Sequence, residues 1–211
     1  MKKRLGFTLA EVLITLGIIG VVAAMTIPTL MNSTGQAEFK SGFKKAISAL
    51  NQAITMNVAL ADSDFSVLTA GATATAYTTD GTVFNMFGSR LNVVSTTTGT
   101  DAGLNAGTPV PATMATTSNF TLFLNDGQAI SFPQATAGCL QNVYASGCTA
   151  IVDVNGAKKP NRLSNCLGTA TAVDRTACTK ASLIVGDRFS IRFLGNQIQP
   201  NGEAARFVMY N

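Results

Sequence analysis

The chain has 211 residues, with 15 basic and 11 acidic side chains and neither histidine nor tryptophan. Without histidine it lacks the commonest general base and zinc ligand, so a Ser-His-Asp or Cys-His site cannot be built and a hydrolase is not expected. Three of the 15 basic residues are Lys2, Lys3 and Arg4; the other 12 nearly balance the 11 acidic ones, so net charge does not indicate nucleic-acid binding.

The first 31 residues place this basic leader before a long apolar run. Val12 to Met31 carries no charge, which matches the roughly 20 residues that cross a bilayer as a helix. Basic residues at the start predict a cytoplasmic N-terminus, with everything after Met31 on the far side of the membrane. A secretory signal peptide fits less well, because its apolar region is usually about 7 to 15 residues long and ends in a small-x-small cleavage site. Glu11 is the second discrepancy. A carboxylate inside a spanning helix costs about 2.5 to 3.5 kcal/mol on insertion scales and calls for a partner.

Gly6-Phe7-Thr8-Leu9-Ala10-Glu11 and the following VLITLGIIGVVAAMTIP resemble the N-terminal signature of type IV pilins and type II secretion pseudopilins, over residues 1 to about 60. The resemblance implies that a prepilin peptidase cuts between Gly6 and Phe7 and that Phe7 becomes the N-methylated first residue. It implies that Glu11 pairs with the N-terminal ammonium of a neighbouring subunit. The implied partners are other pilin or pseudopilin subunits, the peptidase, an inner-membrane assembly platform and, before assembly, membrane lipid. The implied location is the bacterial inner membrane, followed by a periplasmic or extracellular filament. The expected organisation is a cleaved leader (1–6), a membrane and filament-core helix (7–31), an amphipathic helix (32–61) and an exported head (62–211).

Beyond the apolar run, Phe39, Phe43, Ala46, Ile47, Leu50, Ile54, Val58 and Ala61 recur at spacings of three and four, predicting one apolar face packed on a sheet. Together with the apolar run this gives a helix from about Phe7 to Ala61, with interruptions expected near Gly17, Gly20 and Pro28 and a bend or local melting at Pro28. Residues 62–119 are poor in charge and rich in Ala, Thr, Gly and Ser, and read as exposed loop rather than a binding epitope or glycosylated tract. Within them, 82–94 carries enough apolar residues for a short helix or strand.

From Asn119 the period becomes two. Phe120, Leu122 and Leu124 precede Asn125-Asp126-Gly127 and then Ala129 to Phe132, a predicted hairpin. Ala150 to Val154 and Arg188 to Leu194 read as strands. Gly195-Asn196 turns the chain into Gln197 to Gln199, and Arg206 to Tyr210 reads as a closing strand. The expectation is an α+β fold, with four to six antiparallel strands laid over the helix.

Cys139, Cys148, Cys166 and Cys178 all lie in the C-terminal third. An even number in an exported domain implies disulfides, with three possible connectivities. Local pairs, Cys139 with Cys148 and Cys166 with Cys178, are expected, each worth roughly 2 to 3 kcal/mol. Zinc is not expected at these spacings.

Asp153-Val154-Asn155-Gly156, Lys159-Pro160-Asn161 and Gly186-Asp187-Arg188-Phe189 extend the resemblance to minor pilin-like proteins. Major pseudopilins hold calcium in a C-terminal loop, which makes Asp153, Asn155, Asn161 and Asp187 candidate donors here; ordinary turn chemistry is the competing reading. An EF-hand is rejected, since Ala157 and Ser164 occupy ligand positions. No other cofactor is indicated. The leading reading is a structural filament subunit, most like a minor one. A tip or surface subunit that binds DNA, a receptor or a secreted substrate is the alternative, and an anchored enzyme is the weakest reading.

Overall fold

A computed structural model describes residues 7–69, 81–99, 119–134, 136–140, 148–156, 158–166 and 178–211. It separates into two units, residues 1–38 and 39–211. Helix α1 (Leu9–Ala61) contributes to both. Gly6, and residues 70–80 and 100–118 of the stretch read from the sequence as loop, lie outside the described residues.

In the first unit, every described large apolar side chain from Phe7 to Leu30 is exposed. Leu9–Pro28 is long and apolar enough to cross a membrane, with mean hydropathy 2.2. Hydroxyls within it are satisfied along the helix. Thr15 Oγ1 donates to Val12 O at 3.0 Å and Thr26 Oγ1 to Val22 O at 3.0 Å, as a medium without water requires. The interruptions expected at Gly17, Gly20 and Pro28 are absent, and helix is continuous through all three. Pro28 removes one backbone donor, and the remaining hydrogen bonds of α1 carry the helix through it.

In the second unit, α1 buries Phe43, Ala46, Ile47, Leu50, Ala53, Ile54 and Asn57. Val58 and Ala61, expected on this face, are exposed. A 3.6-residue repeat continued from Phe43 reaches Asn57 rather than Val58, and Ala61, though on the same face, is the last residue of the helix.

Beneath α1 lies a six-stranded antiparallel sheet built from β1 (Val93–Gly99), β2 (Asn119–Leu124), β3 (Ala129–Pro133), β4 (Thr149–Asp153), β7 (Arg188–Leu194) and β8 (Gln197–Pro200), in that order. A small ribbon of β5 (Asn165–Cys166) and β6 (Leu183–Ile184) interrupts the sequence between β4 and β7. The molecule is α+β. Gly127, with φ of +85°, closes the β2–β3 hairpin and Gly195, with φ of +52°, the β7–β8 hairpin.

Phe43 stacks on Phe189 with ring centroids 4.3 Å apart. Phe65, Phe87, Phe120, Phe132 and Phe193 complete an aromatic core. Phe65 and Leu68 fall in the stretch read as exposed loop, yet both are buried. Their segment is tied down by backbone bonds, Phe65 N to Gly195 O and Cys139 N to Phe65 O, both 2.9 Å. Residues 82–94 form helix α2 (Val83–Arg90), capped by the Thr82 hydroxyl accepting from Asn85 N at 3.1 Å, and the start of β1.

Arg206 to Tyr210 is not a strand. It belongs to helix α3 (Glu203–Tyr210), which buries Ala204, Ala205 and Val208 on one side. A short apolar run fits either period, and here the spacing of Ala204 to Val208 matched a helical face.

The two sheet edges are treated differently. At β8 the Asn51 side chain of α1 satisfies both backbone groups of Ile198, donating to its carbonyl at 3.0 Å and accepting from its N–H at 2.8 Å. At the other edge, β1 pairs among the described residues only with β2, and a register irregularity sits between Val93 and Ser95. Irregularity of this kind guards an open edge against adventitious pairing.

Candidate functional site: the amino-terminal segment and the carboxy-terminal loop

Phe7 is 90 % exposed and lies two residues before the helix start at Leu9. The next residues form a reciprocal cap. Thr8 donates to Glu11 Oε2 from its backbone N–H at 2.9 Å and from its hydroxyl at 2.8 Å, and Glu11 N donates to Thr8 Oγ1 at 3.3 Å. The Thr-x-x-Glu spacing satisfies orphan donors at a helix N-terminus. In a single subunit the Glu11 carboxylate is therefore oriented by Thr8. The signal for this was present in the sequence as a capping box.

In the second unit, Cys139 bonds Cys148 and Cys166 bonds Cys178, with Cα separations of 5.6 and 5.7 Å. The first bridge sits in the core and is flanked by two backbone bonds, Gly195 N to Cys139 O and Phe193 N to Cys148 O.

The four candidate calcium donors fall at one end of the β4–β7 pair, with Asp153 in register opposite Arg188. Arg188 is fully buried and donates from Nε to Asp153 Oδ2 at 2.9 Å. Asp187 is also fully buried; its carboxylate accepts from Asn161 N at 2.7 Å and Arg162 N at 2.6 Å, anchoring the loop after Pro160. The side-chain oxygens of Asn155 and Asn161 are buried without a hydrogen-bond partner. Both carboxylates are thus engaged, while two neutral amide oxygens remain as donors for a hard cation. Among the described residues no group of three or more His, Cys, Asp or Glu could hold a metal ion. Burial pushes the Asp153 carboxyl up to about 6, and the nearby Asp187 charge adds to the rise while the Arg188 hydrogen bond opposes it. Arg188 had no role in the sequence reading. A charged residue inside an apolar strand, RFSIRFL, was the available signal.

Against this geometry, residues 1–27 match the family model for the prokaryotic N-terminal methylation motif. The chain carries the amino-terminal segment of a type IV pilin-like precursor. For such a precursor the motif implies assembly with other pilin subunits and processing by a prepilin peptidase. The motif and the apolar helix together fit membrane anchoring of a pilin-like chain. Neither a curated protein nor a solved structure matches the chain.

Proposed function

We propose that this pilin-like precursor is a structural subunit, most like a minor one, of a type IV pilus or type II secretion filament. The carrying observation is the methylation motif at residues 1–27, which overlaps the first part of an uninterrupted helix whose described large apolar side chains from Leu9 to Leu30 are exposed. Such a surface needs lipid or other helices around it. In this reading prepilin peptidase cuts between Gly6 and Phe7, and the Phe7 amine is methylated. The first half of α1 holds the subunit in the inner membrane with its N-terminus cytoplasmic, and the exported unit joins a periplasmic or extracellular filament through an assembly platform. The cap at Thr8 supports the role of Glu11, because hydrogen bonds limit the cost of a carboxylate within apolar surroundings until a neighbour's ammonium meets it. The role is structural and not enzymatic. Mass spectrometry of the mature protein from cells tests the reading. A chain beginning at methylated Phe7 is expected, and an intact Met1 or a cut after Ala23 or Ala24 would overturn it. Abundance in sheared filaments, low against the principal subunit, tests the minor role.

Calcium binding in the carboxy-terminal loop is a second proposal, carried by the unpartnered buried oxygens of Asn155 and Asn161. With Asp153 and Asp187 they would supply a hard cation with oxygen ligands, in competition with Arg188 for Asp153. A ligand that binds only the folded state raises its stability. The soluble fragment starting at Gln36 is expected to melt higher in calcium than in chelator, with the difference lost in Asp153→Ala. Identical melting curves in calcium and chelator would leave these residues a turn closed by Arg188.

A further inference from the structure

A cavity of about 500 Å³ opens between the end of α1 and α2, and none of the candidate calcium donors lines it. Its polar lining includes Asn57, Ser63, Asn85, Ser89 and Arg90, and among the described residues that line it none is acidic. Arg90 stands out. Its Nε atom is buried and has no hydrogen-bond partner, although a guanidinium presents a fork of five donors. Being in the last turn of α2 makes a positive charge favourable there through the helix dipole. That placement does not account for a buried Nε–H left without a hydrogen-bond partner on a residue that lines a cavity with no acid among its described residues. The surrounding amides are already arranged: the Asn57 side chain donates to Ser63 O at 2.7 Å and Oγ at 2.9 Å, which fixes one wall, and Ser89 Oγ donates to Met86 O at 3.1 Å on the other.

We propose that this cavity binds a carboxylate, with Arg90 as its bidentate anchor. Planar carboxylates match the guanidinium fork, and charge-assisted pairs of this kind are roughly twice as strong as neutral hydrogen bonds. The volume suits a small organic acid or an acidic side chain of a partner protein. The inference goes beyond the filament role and stands whether or not the chain polymerises.

The test uses full-length ¹⁵N-labelled protein in detergent micelles, titrated with succinate. A saturable shift of the Asn57 and Asn85 side-chain amide resonances, which persist in every Arg90 variant, is expected. Arg90→Gln should abolish the response without lowering the melting temperature, and Arg90→Lys, which keeps the charge and loses the fork, should weaken binding about tenfold. The two carboxylate sources separate under a guanidinium-directed reagent. Protection of Arg90 by succinate in micelles identifies a free acid, whereas protection in assembled filaments without succinate identifies an acidic side chain of a neighbouring protein. No saturable shift combined with full reactivity of Arg90 in both settings would overturn the proposal, as would an unchanged succinate response in Arg90→Gln.

Discussion

The two units handle polarity in opposite ways. From Phe7 to Leu30 the first unit leaves its described large apolar side chains exposed and satisfies its polar groups within the helix. The second buries an aromatic core and also Asp153, Asp187, Arg188, Ser131 and Thr121. Residues of the core cluster all fall between Phe43 and Val208, so the second unit carries its own hydrophobic core. The first has none. Its apolar surface must be covered by lipid or by other helices, whereas the second unit depends on internal pairing of what it buries. Substitutions in the first should therefore affect assembly and leave folding intact, and substitutions in the second should do the reverse.

Glu11→Ala offers the sharpest test of that division. In the proposed filament it leaves a neighbour's ammonium unmatched among apolar helices, a loss of about 3 to 5 kcal/mol. Incorporation into sheared filaments, measured against total membrane protein, should collapse while membrane insertion, leader cleavage and the two disulfides remain normal. Equal incorporation of Glu11→Ala and wild type would end the proposed pairing.

On the other side, Arg188→Ala strands a buried Asp153 carboxylate and should lower the unfolding free energy of the fragment from Gln36 by about 3 to 5 kcal/mol in urea, with no change in membrane insertion. The same pair has a pH signature. Folding raises the Asp153 pKa from its ordinary 3.8 to about 6, so between those values the folded unit holds a proton that the unfolded chain has released. This group's contribution to stability is accordingly greatest at low pH and falls as pH rises through that window, then levels off. Urea midpoints of wild type and Asp153→Asn across the window should diverge in slope, the variant lacking the fall. Parallel profiles would remove Asp153 as the titrating group.

A smaller effect is expected from the bridges. Cys139→Ser with Cys148→Ser opens a nine-residue separation and should cost roughly 2 to 3 kcal/mol, read from melting of the second unit. Asn51→Ala should cost about 1 to 3 kcal/mol, because both backbone groups of Ile198 lose their partner. If Asn51→Ala melts like wild type, water has replaced the amide and the β8 edge is open.

How much was readable in advance depended on whether a feature was local. The apolar run, the Thr8–Glu11 spacing and the hairpins at Asn125-Asp126-Gly127 and Gly195-Asn196 are visible because each is a property of a few consecutive residues. Phe65 was misjudged as loop because its burial comes from Gly195 and Cys139, far away in the chain. Tyr210 and its neighbours were misassigned because eight residues with apolar groups at mixed spacing satisfy two periods.

Sequence alone determined that this chain has a membrane-competent N-terminal helix carrying one carboxylate, an amphipathic continuation and an α+β fold, since hydropathy and period are encoded residue by residue. Only the tertiary structure decided that both faces of β7 are buried, that Arg188 meets Asp153 across β4, that Asn51 closes one sheet edge, and that Arg90 faces a cavity. These are pairings between residues distant in sequence. They arise when strands and helices come together, and the requirement that each buried polar group find a partner acts only then.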